Sequence, residues 1–234
     1  LQREAVDILQ ARFGDSPLWG FKYARTLRML PFWEAVLGEL DWDVRYVLAV
    51  RNPLSVARSR SQLNPNRGRQ AWNDLEWLVN VVPYFDRLQG HPLAVVDFDN
   101  VLTRPEAELQ RIAAALKLPD SEQQKAAIDD YAKAFLKPGM RHSQFQLADL
   151  QHDKNVNHLV RDAYACLHQL AQDEITPADA QLWRNWAAIQ EALQNLAPVL
   201  EEFDFLRKQL NRALWNPATP VTALRQVWLD LRSR

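Results

Sequence analysis

The feature that most constrains this chain is the stretch Val44–Arg60, where a hydrophobic run stops at an arginine and a helix begins at once. Val44 to Val50 is β-branched and aromatic, the composition of a buried strand. Arg51 ends it, Asn52 is a good helix N-cap and Pro53 a good first helical residue. In an open α/β sheet, ligands bind at the carboxyl ends of the strands. A helix that starts there offers free backbone N–H groups and a partial positive charge to an anion. Arg51 adds a planar fork of donors suited to phosphate, and Ser55 and Ser59, one helical turn apart, bring hydroxyls to the same face.

Strand, Arg51-x-Pro53, and a serine eight residues after the arginine, Ser59, resemble the 3′-phosphate-binding motif of sulfotransferases that use 3′-phosphoadenosine 5′-phosphosulfate. The resemblance implies that Arg51 and Ser59 hold the 3′-phosphate of that co-substrate. A second segment supports it. Trp19, Gly20, Lys22 and Arg25 match the Trp-Gly-x-Lys-Asp-Pro-Arg segment of bacterial members, and Leu30-Pro31-Phe32-Trp33 follows as in the family. In the family this segment reaches the transferring sulfuryl group, so Lys22 is the implied catalytic residue. Tyr23 and Ala24 replace the Asp and Pro, which leaves the general base unassigned. Phe98-Asp99 stands where the family has Tyr-Glu after the next strand. A basic loop, Lys137 to Ser143, offers Arg141 as a further nucleotide contact and His142 for acid/base work.

The expected architecture is α/β: a partial P-loop-like three-layer parallel sheet over residues 1–150, and a long α-helical extension over 151–234. Strands are expected at Leu18–Arg25, Val44–Val50 and Pro92–Asp97. Helices are expected over Leu1–Phe13, Phe32–Leu40, from Pro53, over Ala71–Leu88 with Pro83 inside it, and after Arg104-Pro105; Phe98 to Leu102 reads as a turn. Gln62 to Gln70 reads as a loop beside the anion site, with Arg58, Arg60, Arg67 and Arg69 in or next to it. In the extension, Asn157 caps one helix. Thr176-Pro177 starts another, whose Leu182, Trp186, Ile189, Leu193, Leu196, Leu200 and Phe203 form a heptad seam. Continued to Leu214 it would be about 50 Å long at about 1.5 Å per residue, kinked near Pro198. Thr219-Pro220 caps a last short helix.

A net charge of −1 gives no global field toward nucleic acid, so any phosphate site is local. The single cysteine, Cys166, excludes a disulfide framework and a Cys-based zinc site, and the five histidines make no metal-ligand pattern. No apolar run spans a bilayer. The expected compartment is cytoplasmic.

The resemblance implies transfer of a sulfuryl group from 3′-phosphoadenosine 5′-phosphosulfate to a hydroxyl or amine of a small-molecule or carbohydrate acceptor, without a metal. The family's second phosphate site, a strand–loop–helix that cradles the 5′-phosphosulfate, is not found in the chain, whose six glycines are scattered. The resemblance therefore covers Leu18 to Ser143, and the chain by itself is expected to be inactive while a longer parent is active. The alternative is a noncatalytic module of the same fold that acts through its helical tail, with self-association or an interdomain contact over 177–214. A nucleotide kinase is disfavoured by the absence of Gly-x-x-x-x-Gly-Lys-[Ser/Thr].

Overall fold

A computed structural model describes residues 1–63, 68–135 and 145–215. The helices and strands, in chain order, begin with α1 (Gln2–Phe13), α2 (Leu30–Leu40), β1 (Tyr46–Val50), α3 (Pro53–Leu63) and α4 (Gln70–Phe85). Then come β2 (Leu93–Asp97), α5 (Phe98–Thr103), α6 (Pro105–Ala115) and α7 (Glu122–Asp130). The last four are α8 (Leu147–His152), α9 (His158–Ala171), α10 (Ala180–Asn195) and α11 (Ala197–Trp215). The chain forms two compact units, Leu1–Gln190 and Glu191–Arg234.

The first unit is built on β1 and β2, which pair in parallel with Tyr46 opposite Leu93 and Val50 opposite Asp97. A parallel pair needs a crossover, and α3 and α4 supply it. All five residues of β2 are buried, as expected of a strand covered on both faces. Ala94 and Val96 pack with Leu116, Val101 and Ile112, the side of α6. Residues alternate across a strand, so Leu93, Val95 and Asp97 face the other way. There α9 packs on β2, with Tyr164 bonded to Asp97. The unit thus extends past residue 150, where composition divides the chain, because α9 covers the sheet. Arg111 of α6 ties these layers together. It donates to Val95 O at 2.7 Å and pairs with the buried Glu108 at 3.0 Å and with Asp173, after α9, at 2.9 Å.

Leu18–Arg25 is not a strand, in contrast to the sequence expectation. Its aromatic residues are taken up by packing instead. Trp19 stacks on Phe13 with centroids 4.4 Å apart, and Phe21 lies 4.7 Å from Trp33. Phe13, Trp19 and Trp33 pack against a separate small core of Val6, Leu9 and Val36 between α1 and α2. Phe98 to Leu102, expected as a turn, lies within α5, which is capped by the Asp97 side chain accepting from Asp99 N–H.

Asn157 caps α9 as expected, its Oδ1 accepting from Leu159 N–H at 2.9 Å. The next helix starts later than Pro177. Trp183 Nε1 donates to Pro177 O at 2.8 Å, and Asp179 Oδ1 accepts from Gln181 N–H at 2.8 Å, so Asp179 is the effective cap of α10. Leu182, Trp186, Ile189 and Leu193 are buried along it, as the heptad pattern requires.

The second unit holds the end of α10 and all of α11. The expected continuous helix is broken between Asn195 and Ala197. Pro198 lacks an N–H and its ring would strike the carbonyl four residues back, so it sits in the first turn of a new helix. Val199, Phe203, Leu206 and Leu210 of α11 are all more than half exposed. The expected helix after Thr219-Pro220 lies outside the described residues. No helix among them is long and apolar enough to cross a membrane.

Candidate functional site

The register of the sheet creates the site. Because Val50 pairs with Asp97, Arg51 and Phe98 leave the sheet side by side at its carboxyl edge. The Arg51 guanidinium lies over the Phe98 ring, 4.7 Å from its centroid, a cation–π contact that holds a planar charge at the strand end. Asn52, 2% exposed, fixes the start of α3 and a distant segment together. Its Oδ1 accepts from Leu54 N–H at 3.0 Å, which caps α3. Its Nδ2 donates to Phe145 O at 3.1 Å and Gln146 O at 3.0 Å, which anchors the segment entering α8 beside the same helix start. Ser55, in the first turn of α3, is fully buried, and Ser59, one turn on, is half-buried.

The structure therefore brings Arg51, the start of α3, Ser55 and Ser59 into one strand-to-helix junction. Beside it, at the end of β2, a polar cleft of about 640 Å³ opens between α5, α9 and the Phe145–Leu147 segment. Lys22 and Tyr23 are exposed, on the loop between α1 and α2, and neither lines this cleft. Arg60 is committed to α4, donating to Asn73 Oδ1 at 3.0 Å and pairing with Glu76. Arg67, Arg141 and His142 lie outside the described residues.

Asp97 forms part of the cleft wall and is held on both oxygens: Oδ1 accepts from Asp99 N–H at 2.7 Å and Oδ2 from Tyr164 Oη–H at 3.1 Å. Burial, with the charges of Asp97 and Asp99 as lesser causes, raises the Tyr164 phenol far above its ordinary range, so Tyr164 stays a neutral donor. His168 comes one turn later on α9, its ring 5.9 Å from that of Tyr164. His168 Nδ1 and Asn100 Nδ2 are buried with no hydrogen-bond partner among the described residues. Asp99, Thr103, Gln146, Gln172 and Glu174 complete the polar lining.

Sequence reasoning found the Arg51 junction and missed this cleft. Two signals pointed to it. The second strand ends in a carboxylate just as the first ends in an arginine, and Tyr164 and His168 recur at i and i+4 on one helix.

Compared with known proteins, the chain matches no family model, no curated protein and no solved structure.

Proposed function

We propose that the Arg51 junction binds the 3′-phosphate of 3′-phosphoadenosine 5′-phosphosulfate and that the protein serves sulfuryl transfer to a hydroxyl or amine acceptor. The observation that carries this reading is one piece of geometry. A parallel strand ends at Val50, Arg51 stands at its carboxyl edge, and an Asn52-capped helix opens there with Ser55 and Ser59 on successive turns. Such a helix start presents N–H groups and the positive end of its dipole to an anion, and the guanidinium adds directional donors. The helices on both faces of β2 fit a three-layer, P-loop-like sheet of which β1 and β2 form part.

In the proposed reaction the acceptor oxygen or nitrogen attacks sulfur, and the bond between sulfur and the bridging phosphate oxygen breaks. Adenosine 3′,5′-bisphosphate leaves with the electron pair, and the acceptor proton passes to a base. Positioning and charge stabilisation carry such transfers. Lys22 is the proposed cation near the bridging oxygen.

Calorimetric titration of adenosine 3′,5′-bisphosphate tests the reading. Arg51→Ala is expected to weaken binding by about 10- to 150-fold, the loss of a charge-assisted contact of about 1.5–3 kcal/mol. Arg51→Lys, which keeps the charge and loses the fork, is expected to fall between. Adenosine 5′-monophosphate, lacking the 3′-phosphate, should bind wild type and Arg51→Ala alike. Equal binding of the bisphosphate by wild type and Arg51→Ala, or none by folded wild type, overturns the assignment.

A further inference from the structure

The heptad seam expected across α10 and α11 has two different fates. On α10, Leu182, Trp186, Ile189 and Leu193 are buried. On α11, Val199, Phe203, Leu206 and Leu210 follow at steps of four, three and four residues, which puts them on one face of the helix. All four are more than half exposed. Single exposed apolar residues are ordinary, but a continuous stripe of them marks an interaction surface. The steps fix the heptad register: Phe203 and Leu210 stand at a, Val199 and Leu206 at d.

An apolar stripe does not name its partner; the charges that flank it do. In this register Glu202 stands at g, just before Phe203, and Arg207 at e, just after Leu206. Residues five apart on one helix do not face each other, so these two positions are not set to pair within α11. The i,i+4 pair on this helix is Asp204 with Lys208, at 2.6 Å. Between two parallel helices in register, however, g of one copy lies beside the e that follows it on the other. A glutamate then meets an arginine, and twofold symmetry makes the match twice. In an antiparallel pair g would lie beside g and e beside e, setting like charges together.

We infer that α11 is a self-recognition surface, which pairs in parallel and in register with α11 of a second copy of this chain. Val199, Phe203, Leu206 and Leu210 form the seam, and Glu202 of each copy lies opposite position 207 of the other. α11 has 19 residues, about 28 Å at about 1.5 Å per residue, so the seam is short and the dimer is reversible and concentration-dependent. The pairing is independent of nucleotide binding at Arg51.

Sedimentation equilibrium of the full chain over a concentration series tests the pairing, with circular dichroism to show that each variant is folded. Wild type is expected to pass from monomer to dimer as concentration rises. Phe203→Asp with Leu206→Asp puts charge on exposed positions in the middle of the seam and should raise the dimer dissociation constant about 100-fold or more. Glu202→Arg sets arginine beside arginine in the parallel pair and should weaken it about fivefold or more at low salt. Adding Arg207→Glu to Glu202→Arg exchanges the charges and should restore the dimer. A chain that stays monomeric, as it would if its own segments or a different protein covered α11, overturns the inference. So does a dimer that Phe203→Asp with Leu206→Asp leaves unchanged, because its interface is then elsewhere. Equal dimerisation by wild type and Glu202→Arg, the result for an antiparallel pair, overturns the inferred arrangement, as does failure of the charge exchange to restore what Glu202→Arg weakens.

Discussion

Asn52 uses every hydrogen-bonding group of its side chain except one lone pair, and it does so with 2% of its surface exposed. Its oxygen caps α3; its two N–H groups hold Phe145 and Gln146, more than ninety residues away. Two substitutions separate these roles. Asn52→Ala loses the cap, at a cost of about 0.5–2 kcal/mol, and leaves two carbonyls unmet. Asn52→Asp keeps the cap and improves the dipole interaction, but turns an oxygen toward two carbonyl oxygens. In an isolated helix aspartate would be the better residue. Here Asn52→Asp is expected to be at least as destabilised as Asn52→Ala in urea unfolding. Recovery of wild-type stability by Asn52→Asp would reduce the residue to its capping role. The cap was legible in the sequence because it is a local preference. The tether was not, because nothing local in Asn52 or Gln146 records their pairing. The same holds for Asp97 and Tyr164, which meet across 67 positions.

Among the elements, those with strong local signals formed where the sequence places them: β1, α3, α4, β2 and α9. Two of the misplacements come from a side-chain contact that outweighs a local rule. Leu18–Arg25 has strand-like composition, yet its rings are worth more stacked on Phe13 and Trp33 than paired at a sheet edge. Thr176-Pro177 is a good local helix start, yet Trp183 holds the Pro177 carbonyl and α10 begins at Ala180. How α10 joins α4 is also tertiary. Trp186 Nε1 and Gln190 Nε2 both donate to Val82 O, each at 3.1 Å, just before Pro83. Either donor alone satisfies that carbonyl. Trp186→Phe keeps a ring against Phe85, 4.4 Å away in wild type, so the lost N–H should cost about 1 kcal/mol beyond the change in ring size. Gln190→Ala should cost about 1 kcal/mol or less. The double variant removes both donors and should exceed the sum of the two by about 0.5 kcal/mol or more, measured as a double-mutant cycle in denaturant. Simple additivity would show that the two bonds act independently.

At the scale of the whole molecule, the sequence conveyed the parallel α/β character and the strand-to-helix junction at Arg51, because strand composition and helix caps are local. It did not convey which helices cover the sheet, because a helix's apolar face does not name its partner. The joint between α4 and α9 shows how such covering is secured, and it makes stability depend on pH. Asp74, 2% exposed on α4, accepts from Asn157 N–H at 2.7 Å and from Gln70 Nε2 at 2.6 Å. Burial pushes its carboxyl up; those two hydrogen bonds pull it down, and burial prevails. The folded state therefore keeps the Asp74 proton at pH values where the unfolded chain, whose carboxyl titrates at about 4, has released it. Stability contributed through this group is largest below the unfolded value and falls as pH rises through the folded one. Asp74→Asn keeps an oxygen for Asn157 N–H and cannot titrate. The stability of wild type minus that of Asp74→Asn should accordingly decline as pH rises from the unfolded carboxyl range, then level off once Asp74 is ionised in both states. Urea midpoints of the two proteins across this range measure the difference. A rise instead of a decline would mean that the bonds from Asn157 and Gln70 outweigh burial, and that the joint is strongest with Asp74 charged.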